Sequence, residues 1–483
     1  MKLKEILLLS LILLVCFVVR LYRFSNPIAD WHSWRQSDTS AVSRNFIKYG
    51  FDILHPQYDD ISNVQSGLDN PHGYRFVEFP IYNVAQAGLF KLFHHFTLEE
   101  WGRIVTIISS VFSVLFIYLL GKRHGNSLVG FSAAAFFALD PYSIYYGRTI
   151  LPDPSMSMTA LGAIYFFDLW VEKQKTKSSA SQKIGFFILS VLFIAASLLL
   201  KPYAAFFLLP LAWIGYKAWG FKVFLKPFVY IMAIISIIPL VWWRIWMMRF
   251  PEGIPASSWL FNAGNIRFTG AYFYWIFAER ISKLMLGYWG IALAFLGLFN
   301  TKKKDVGFFV SFAFATLMYV VVIARGNVQH DYYQILIIPT LALFFGLGVD
   351  MAISLATNLK TKIIFTGLVA VCSIFVFMFG WYQIRDYFNI NNPSIVIAGD
   401  AVNKLTPPNA KIIAPYDGDT SFLYQTNRKG WPSFEHSLPD LIKLGADYLV
   451  LVNPKPADAG IGKTYKIVAQ TPDYILFNLH QKP

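Results

Sequence analysis

Cysteine is nearly absent. Cys16 and Cys372 are the two in 483 residues, and both fall inside apolar runs. That excludes a disulfide framework and a cysteine-rich metal centre, and says nothing about redox compartment. Charge is scarce too: Asp, Glu, Lys and Arg make up 14% of the chain, against about 25% in an ordinary soluble domain, while 55% is hydrophobic. No P-loop, dinucleotide-binding glycine fingerprint, His-x-x-x-His pair or internal repeat is present, so nucleotide hydrolysis is unsupported. Acid is the rarer sign, 28 residues against 42 basic ones. The lysines gather in short loops between apolar runs, which is a membrane-topology pattern and excludes a nucleic-acid surface as the reading of the positive charge.

What the sequence has in abundance is long apolar stretches, and aromatic residues at 18%. With about 20 residues needed per crossing, the runs predict a polytopic α-helical membrane protein of about eleven spans. They lie near 5–24, 103–121, 128–146, 155–171, 184–200, 203–216, 227–247, 284–300, 306–324, 332–356 and 363–382. The first run has no small-x-small cleavage site and is followed by Arg20, Tyr22 and Arg23, so it reads as an uncleaved span. With a cytoplasmic N-terminus, the inside loops carry Lys122-Arg123, Lys173 to Lys183, Lys217 to Lys226, Lys302-Lys303-Lys304 and Lys360/Lys362. All are lysine-rich and acid-poor, as the positive-inside rule requires. The same parity places the 25–102 loop, Arg148 to Asp153, Lys201, the 249–283 loop, Arg325 to Asp331 and the C-terminus outside the cytoplasm.

The outer segments are too long to be connectors. Thr39 to Tyr49 and Glu78 to Phe93 read as interfacial helices, with irregular loop from Gly50 to Gly73 between them. The 249–283 loop, rich in glycine, proline and aromatics, suits a flap over a site. Residues 1–385 read as a membrane domain. After Tyr382 the pattern changes, and residues 386–483 read as a small α/β extracytoplasmic domain. Its helices are expected at Ile397 to Leu405 and Leu438 to Leu444, and its strands at Lys411 to Pro415, Tyr448 to Val452, Tyr465 to Ala469 and Tyr474 to Leu479.

Candidate chemistry clusters in the outer segments. The stretch Asp30 to Arg44 carries two carboxylates and two guanidinium groups directly after the first span. Sugar transfer to a hydroxyl needs a base within hydrogen-bond reach, and Asp38 fits that role. The alternative is an acid in the first turn of a helix beginning near Ser37, stabilised by the helix dipole. Asp30 is a weaker candidate, a cap or loop residue. Arg35 and Arg44 are candidate phosphate clamps or partners of Asp38, and Glu78 is a second interfacial carboxylate or a cap. Asp140-Pro141 and Pro152-Asp153-Pro154 bracket a turn at Arg148, where Asp153 orients substrate, holds Arg148 or caps the next helix. Lys201 is an outer cation or a snorkelling residue. Arg325, His330, Asp331 and Tyr333 meet at the start of the tenth run, for a phosphate or as an interfacial anchor.

In this order the pieces resemble a known superfamily. Trp34-Arg35-Gln36-Ser37-Asp38-Thr39 with Arg44-Asn45-Phe46, Tyr146-Gly147-Arg148-Thr149 with Leu151-Pro152-Asp153-Pro154, Lys201-Pro202, and His330-Asp331-Tyr332-Tyr333 with Pro339 are similar to motifs of the GT-C membrane glycosyltransferases. These include the protein O-mannosyltransferases and lipid A aminoarabinose transferases, family 39-like. The similarity covers roughly residues 5–350. It implies a GT-C fold, a polyprenyl-phosphate sugar donor, inverting transfer on the outer face, and Asp38 as the acidic residue of the first loop. It also implies that Arg148 and Asp153 form the second outer motif, with Lys201, Arg325 and His330 near the donor phosphate. Many relatives carry Asp-Glu where this chain has Asp38-Thr39, which leaves the base open between Asp38 and Asp30 and leaves a divalent metal open.

The expected function is therefore transfer of a sugar from a lipid-linked donor, within membrane lipid, to a hydroxyl acceptor on protein, lipid or glycan. A transporter or lipid-linked sugar flippase is the alternative. It is disfavoured because the apolar runs carry almost no mid-membrane ionisable residues. A receptor or scaffold built on the C-terminal domain is a third reading.

Overall fold

In the computed structural model, residues 2–300 and 305–483 are described, so the Lys302 to Lys304 loop lies outside the described residues. Apolar runs of this length become helices because lipid offers the backbone no hydrogen-bond partner, and only a helix satisfies every amide within one segment. Five helices among the described residues are long and apolar enough to cross a membrane. A sixth is obtained if Gly270–Met285 and Gly290–Leu298, bent by 114°, form one span. Ser127–Leu139, Val306–Val322 and Ile338–Ser354 are shorter apolar helices. Fewer than eleven runs thus reach spanning length as single helices, because proline and glycine break several of them.

The chain divides into two compact units. The first contains Met1–Tyr22, Ile104–Trp242 and Ser257–Asp386. Its third apolar run breaks at Asp140, where Ser127–Leu139 ends and Pro141–Tyr146 begins. Pro141 disfavours helical backbone at the residue before it, and the Asp140 carboxylate then accepts from the Ser143 amide at 2.8 Å, capping the new helix. The helices Gly290–Leu298 and Ile338–Ser354 meet backbone to backbone. A Cβ on Gly297 would lie 2.0 Å from the Phe344 carbonyl oxygen, and one on Gly348 would lie 1.8 Å from that of Leu293. Close approach through small residues is how helices gain contact where lipid removes the hydrophobic drive. The expected 249–283 flap is a succession of short helical turns, among them Trp259–Asn262 and Gly270–Phe273.

The second unit draws on Arg23–Arg103, Trp243–Ala256 and Tyr387–Pro483. Its five-stranded sheet comprises β1 (Ile412–Ile413), β2 (Gly430–Trp431), β3 (Tyr448–Val452), β4 (Lys466–Gln470) and β5 (Tyr474–Asn478), in the order β2-β1-β3-β5-β4. The two pairings of β1 are parallel, and those of β5 antiparallel. Alternation along the strands separates two cores. Ile412, Val450 and Leu476 pack with Ile395, Ala398 and Val402 of the Pro393–Leu405 helix. Ile413, Leu449, Ile475 and Phe477 pack with Leu441 of the Leu438–Lys443 helix. The same unit holds the helices Ser33–Tyr49 and Ile81–Leu92.

Candidate active-site groups

Asp38 sits on the Ser33–Tyr49 helix, which begins after His32 in a left-handed conformation (φ 53°). The start falls four residues before Ser37, so Asp38 lies in the second turn. The dipole-stabilised first-turn reading is corrected accordingly. The carboxylate is almost completely buried and both its oxygens are engaged. Arg75 Nη2 donates to Oδ2 at 2.6 Å, and Thr420 Oγ1 donates to Oδ1 at 2.7 Å. A carboxylate buried to this degree is tolerated only when a cation and hydrogen bonds replace its water. The Arg75 guanidinium in turn lies 5.0 Å from the centroid of the Tyr58 ring.

The expectation that Arg35 or Arg44 pairs with Asp38 is also corrected. Arg35 Nη2 meets Glu78 Oε1 at 2.5 Å and its Nη1 donates to Thr39 Oγ1 at 3.3 Å. Arg44 pairs with Asp59, donates to the Tyr424 carbonyl at 3.0 Å and stacks over the Tyr424 ring at 3.9 Å. Both arginines are drawn off the helix because the 56–80 stretch brings its own acids against it. Asp30 accepts from Gln36 Nε2 at 2.7 Å. Arg35, Asp38, Arg75, Glu78 and Asn83 line a cavity of about 20 Å³, room for little more than a water molecule. Near it, burial pushes the Asp60 carboxyl up to about 7, against hydrogen bonds from Ser62 and with the charges of Asp38 and Glu435 adding to the rise. Burial raises Asp419 as well.

In the first unit, Asp153 is the first residue of the Asp153–Lys175 helix and Pro152 takes the N-cap position, so Asp153 is not the N-cap. Lys201 Nζ lies 3.5 Å from its Oδ1. Lys201 sits where the Ala180–Leu200 helix ends and Pro202 forces extended backbone. Arg148 is fully buried, its guanidinium 5.7 Å from the Tyr145 ring centroid. Asp331 is fully buried; Tyr146 donates to its carboxylate at 2.6 Å, Tyr142 donates to its carbonyl at 2.7 Å, and Arg280 lies 3.9 Å away. The His330 ring stacks with those of Tyr332 and Tyr333, with centroids 5.5 and 6.1 Å apart. Arg325 is half-buried and forms no ion pair among the described residues. An apolar groove of about 790 Å³ lies among Phe277, Leu286, Phe295, Leu317 and Phe344.

Arg75, Tyr58, Asp60, Thr420 and Arg280 were not legible as site residues. Arg75 and Asp60 lie in loop sequence without periodicity, Thr420 stands 382 residues from Asp38, and Arg280 sits in a segment read as a flap. Among the described residues no group of three or more His, Cys, Asp or Glu side chains is arranged to hold a metal ion.

A family model described as dolichyl-phosphate-mannose-protein mannosyltransferase matches residues 77–246. No curated protein sequence matches the chain. Among solved structures, ArnT from Cupriavidus metallidurans bound to undecaprenyl phosphate is 13% identical with a TM-score of 0.65, covering 98% of this chain and 97% of that one. The oligosaccharyltransferase AglB from Archaeoglobus fulgidus, in complex with an inhibitory peptide and a dolichol-phosphate, is 12% identical with a TM-score of 0.62 over 93% of this chain and 69% of AglB. The arabinofuranosyltransferase AftD from Mycobacteria is 13% identical with a TM-score of 0.59 over 98% of this chain and 40% of AftD. These likenesses establish the fold. The chain has the GT-C architecture that its motifs resemble.

Proposed function

We propose that the protein transfers a sugar from a polyprenyl-phosphate donor to a hydroxyl acceptor on the extracytoplasmic face of the membrane, with inversion at the anomeric carbon. The observation that carries this reading is the likeness over 98% of the chain to a structure that holds undecaprenyl phosphate. The 790 Å³ apolar groove suits the prenyl chain. The lysine-rich loops support a cytoplasmic N-terminus and an outward position for Asp153, Lys201 and Asp331.

Asp38 takes the proton of the acceptor hydroxyl as its oxygen bonds to the anomeric carbon. The anomeric carbon–phosphate oxygen bond breaks, and its electron pair leaves with polyprenyl phosphate. Negative charge grows on that phosphate in the transition state, where Arg148, Lys201, Arg325 and His330 are the groups proposed to meet it. Lys201, at 3.5 Å from Asp153 rather than in a short hydrogen bond, retains donors for a phosphate oxygen.

Purified protein in lipid, supplied with a panel of radiolabelled undecaprenyl-phosphate sugars and envelope extract as acceptor, should release undecaprenyl phosphate and label the acceptor. Asp38→Asn should lower that rate by about 10²- to 10⁴-fold. Movement of intact donor across the bilayer without bond cleavage would favour a flippase instead.

A further inference from the structure

The Thr420–Gln425 helix belongs to the C-terminal part of the chain, yet it is fastened to the helix that carries Asp38. Tyr424 lies one turn beyond Thr420. Its carbonyl accepts from Arg44, its ring lies under the Arg44 guanidinium, and its hydroxyl is shared between Ser40 at 3.0 Å and Glu99. The Asp419 carboxylate caps the helix by accepting from the Ser421 amide at 2.7 Å. Phe422 and Leu423 are fully buried in the sheet core. Position 420 is thereby fixed by contacts that do not involve its own side chain.

Its hydroxyl has two acceptors within reach, Asp38 Oδ1 at 2.7 Å and the Trp34 carbonyl oxygen at 3.2 Å. The charged, nearer acceptor takes the greater share of its single proton.

We propose that Thr420 is a positioning residue for the transfer reaction. Its hydroxyl holds one oxygen of Asp38 while Arg75 holds the other, so that the carboxylate offers a lone pair in a fixed direction to the acceptor hydroxyl. Once Asp38 has gained the acceptor's proton, the Thr420 hydroxyl turns to the Trp34 carbonyl and accepts through its own oxygen. No proton is left unpaired and none leaves the cluster. A hydroxyl, being both donor and acceptor, can follow the change of charge, whereas Arg75 can only donate. The C-terminal segment thus completes the surroundings of the base. This inference rests on the reading of Asp38 as that base.

The test compares wild type, Thr420→Val, Thr420→Ser and Ser421→Ala as full-length proteins in lipid, each with the panel of undecaprenyl-phosphate sugars. Thr420→Val keeps the shape and removes the hydroxyl. It should lower kcat about 10- to 100-fold with KM for donor within about twofold. Thr420→Ser should stay within about threefold of wild type. Ser421→Ala, on the same helix, removes a buried hydroxyl that makes no hydrogen bond to Asp38 and should leave kcat unchanged. Thr420→Ala replaces Thr420→Val if the latter does not purify folded. Normal kcat in the hydroxyl-free variant, whichever of the two folds, overturns the inference, as does a serine variant as slow as valine. An active wild type with a normal Thr420→Val removes this inference alone. A wild type inert with every donor removes the proposed function and this inference with it.

Discussion

Asp38 and Asp153 are both almost fully buried, at 1% and 2% exposure, but their surroundings differ. Around Asp38, in the second unit, contacts are short and doubled: Arg75 at 2.6 Å, Thr420 at 2.7 Å, and beside them Arg35 with Glu78 at 2.5 Å. Two pairs of the first unit are longer, 3.5 Å from Lys201 to Asp153 and 3.9 Å from Arg280 to Asp331, and tyrosine supplies a short bond to Asp331. Charge-assisted hydrogen bonds weaken steeply beyond normal length. A tight arrangement fixes an acid's direction, while a loose one leaves a cation able to turn toward an arriving anion. The first suits a base and the second suits a phosphate site.

Arg75→Ala breaks the tight side and should have the largest effect. It strands a buried carboxylate, which costs about 3–5 kcal/mol, and calorimetry in lipid or detergent should show the loss as a markedly lower melting midpoint. Arg75→Lys should fall between, because an ammonium restores charge but lacks the planar fork. A midpoint unchanged in Arg75→Ala would mean that Asp38 is not held as described.

Lys201→Met probes the loose side. Donor KM should rise about tenfold, the effect of one lost charged contact to phosphate, with a smaller drop in melting midpoint than Arg75→Ala. Equal melting losses in the two variants would erase the contrast between the units.

Asp60→Asn should have the smallest effect, and one that depends on pH. The carboxyl of Asp60 titrates near 7 in the folded protein, above the ordinary 3.8, so the folded state holds a proton that the unfolded chain releases between those values. Its contribution is fully present below about pH 4, declines as pH rises, and is lost above about pH 7. Wild type should therefore lose a few degrees of melting midpoint between pH 5 and pH 8 that Asp60→Asn does not lose. Parallel pH profiles would show that Asp60 is not held protonated.

The contrast also explains what could be read from the residues alone. Long helices announce themselves by apolar length, and Tyr448–Val452 by a short apolar run rich in valine and tyrosine, because both patterns are local. The span expected over 128–146 runs through Pro141, and the structure breaks it there, at Asp140. The Thr420–Gln425 helix has six residues and β2 has two, too few for a period to emerge. Motif resemblance singled out Asp38, Asp153 and Lys201, and the structure pairs the latter two. Neither Arg75 nor Thr420 carries a local signal, because each meets Asp38 through the fold rather than through neighbouring sequence. Arg35 and Arg44 misled for the same reason, since spacing along a helix cannot reveal acids arriving from another segment.

The backbone contact between Gly297 and Gly348 sets a dimension as well as a packing distance. Leu298 and Phe344, immediately beside it, form part of the wall of the apolar groove. One methyl group at either glycine would wedge the helices apart, so the groove's calibre is governed by two hydrogen atoms. Under the proposed function, the fit of a prenyl chain there can therefore be tuned from behind the wall, without altering a side chain that lines the groove.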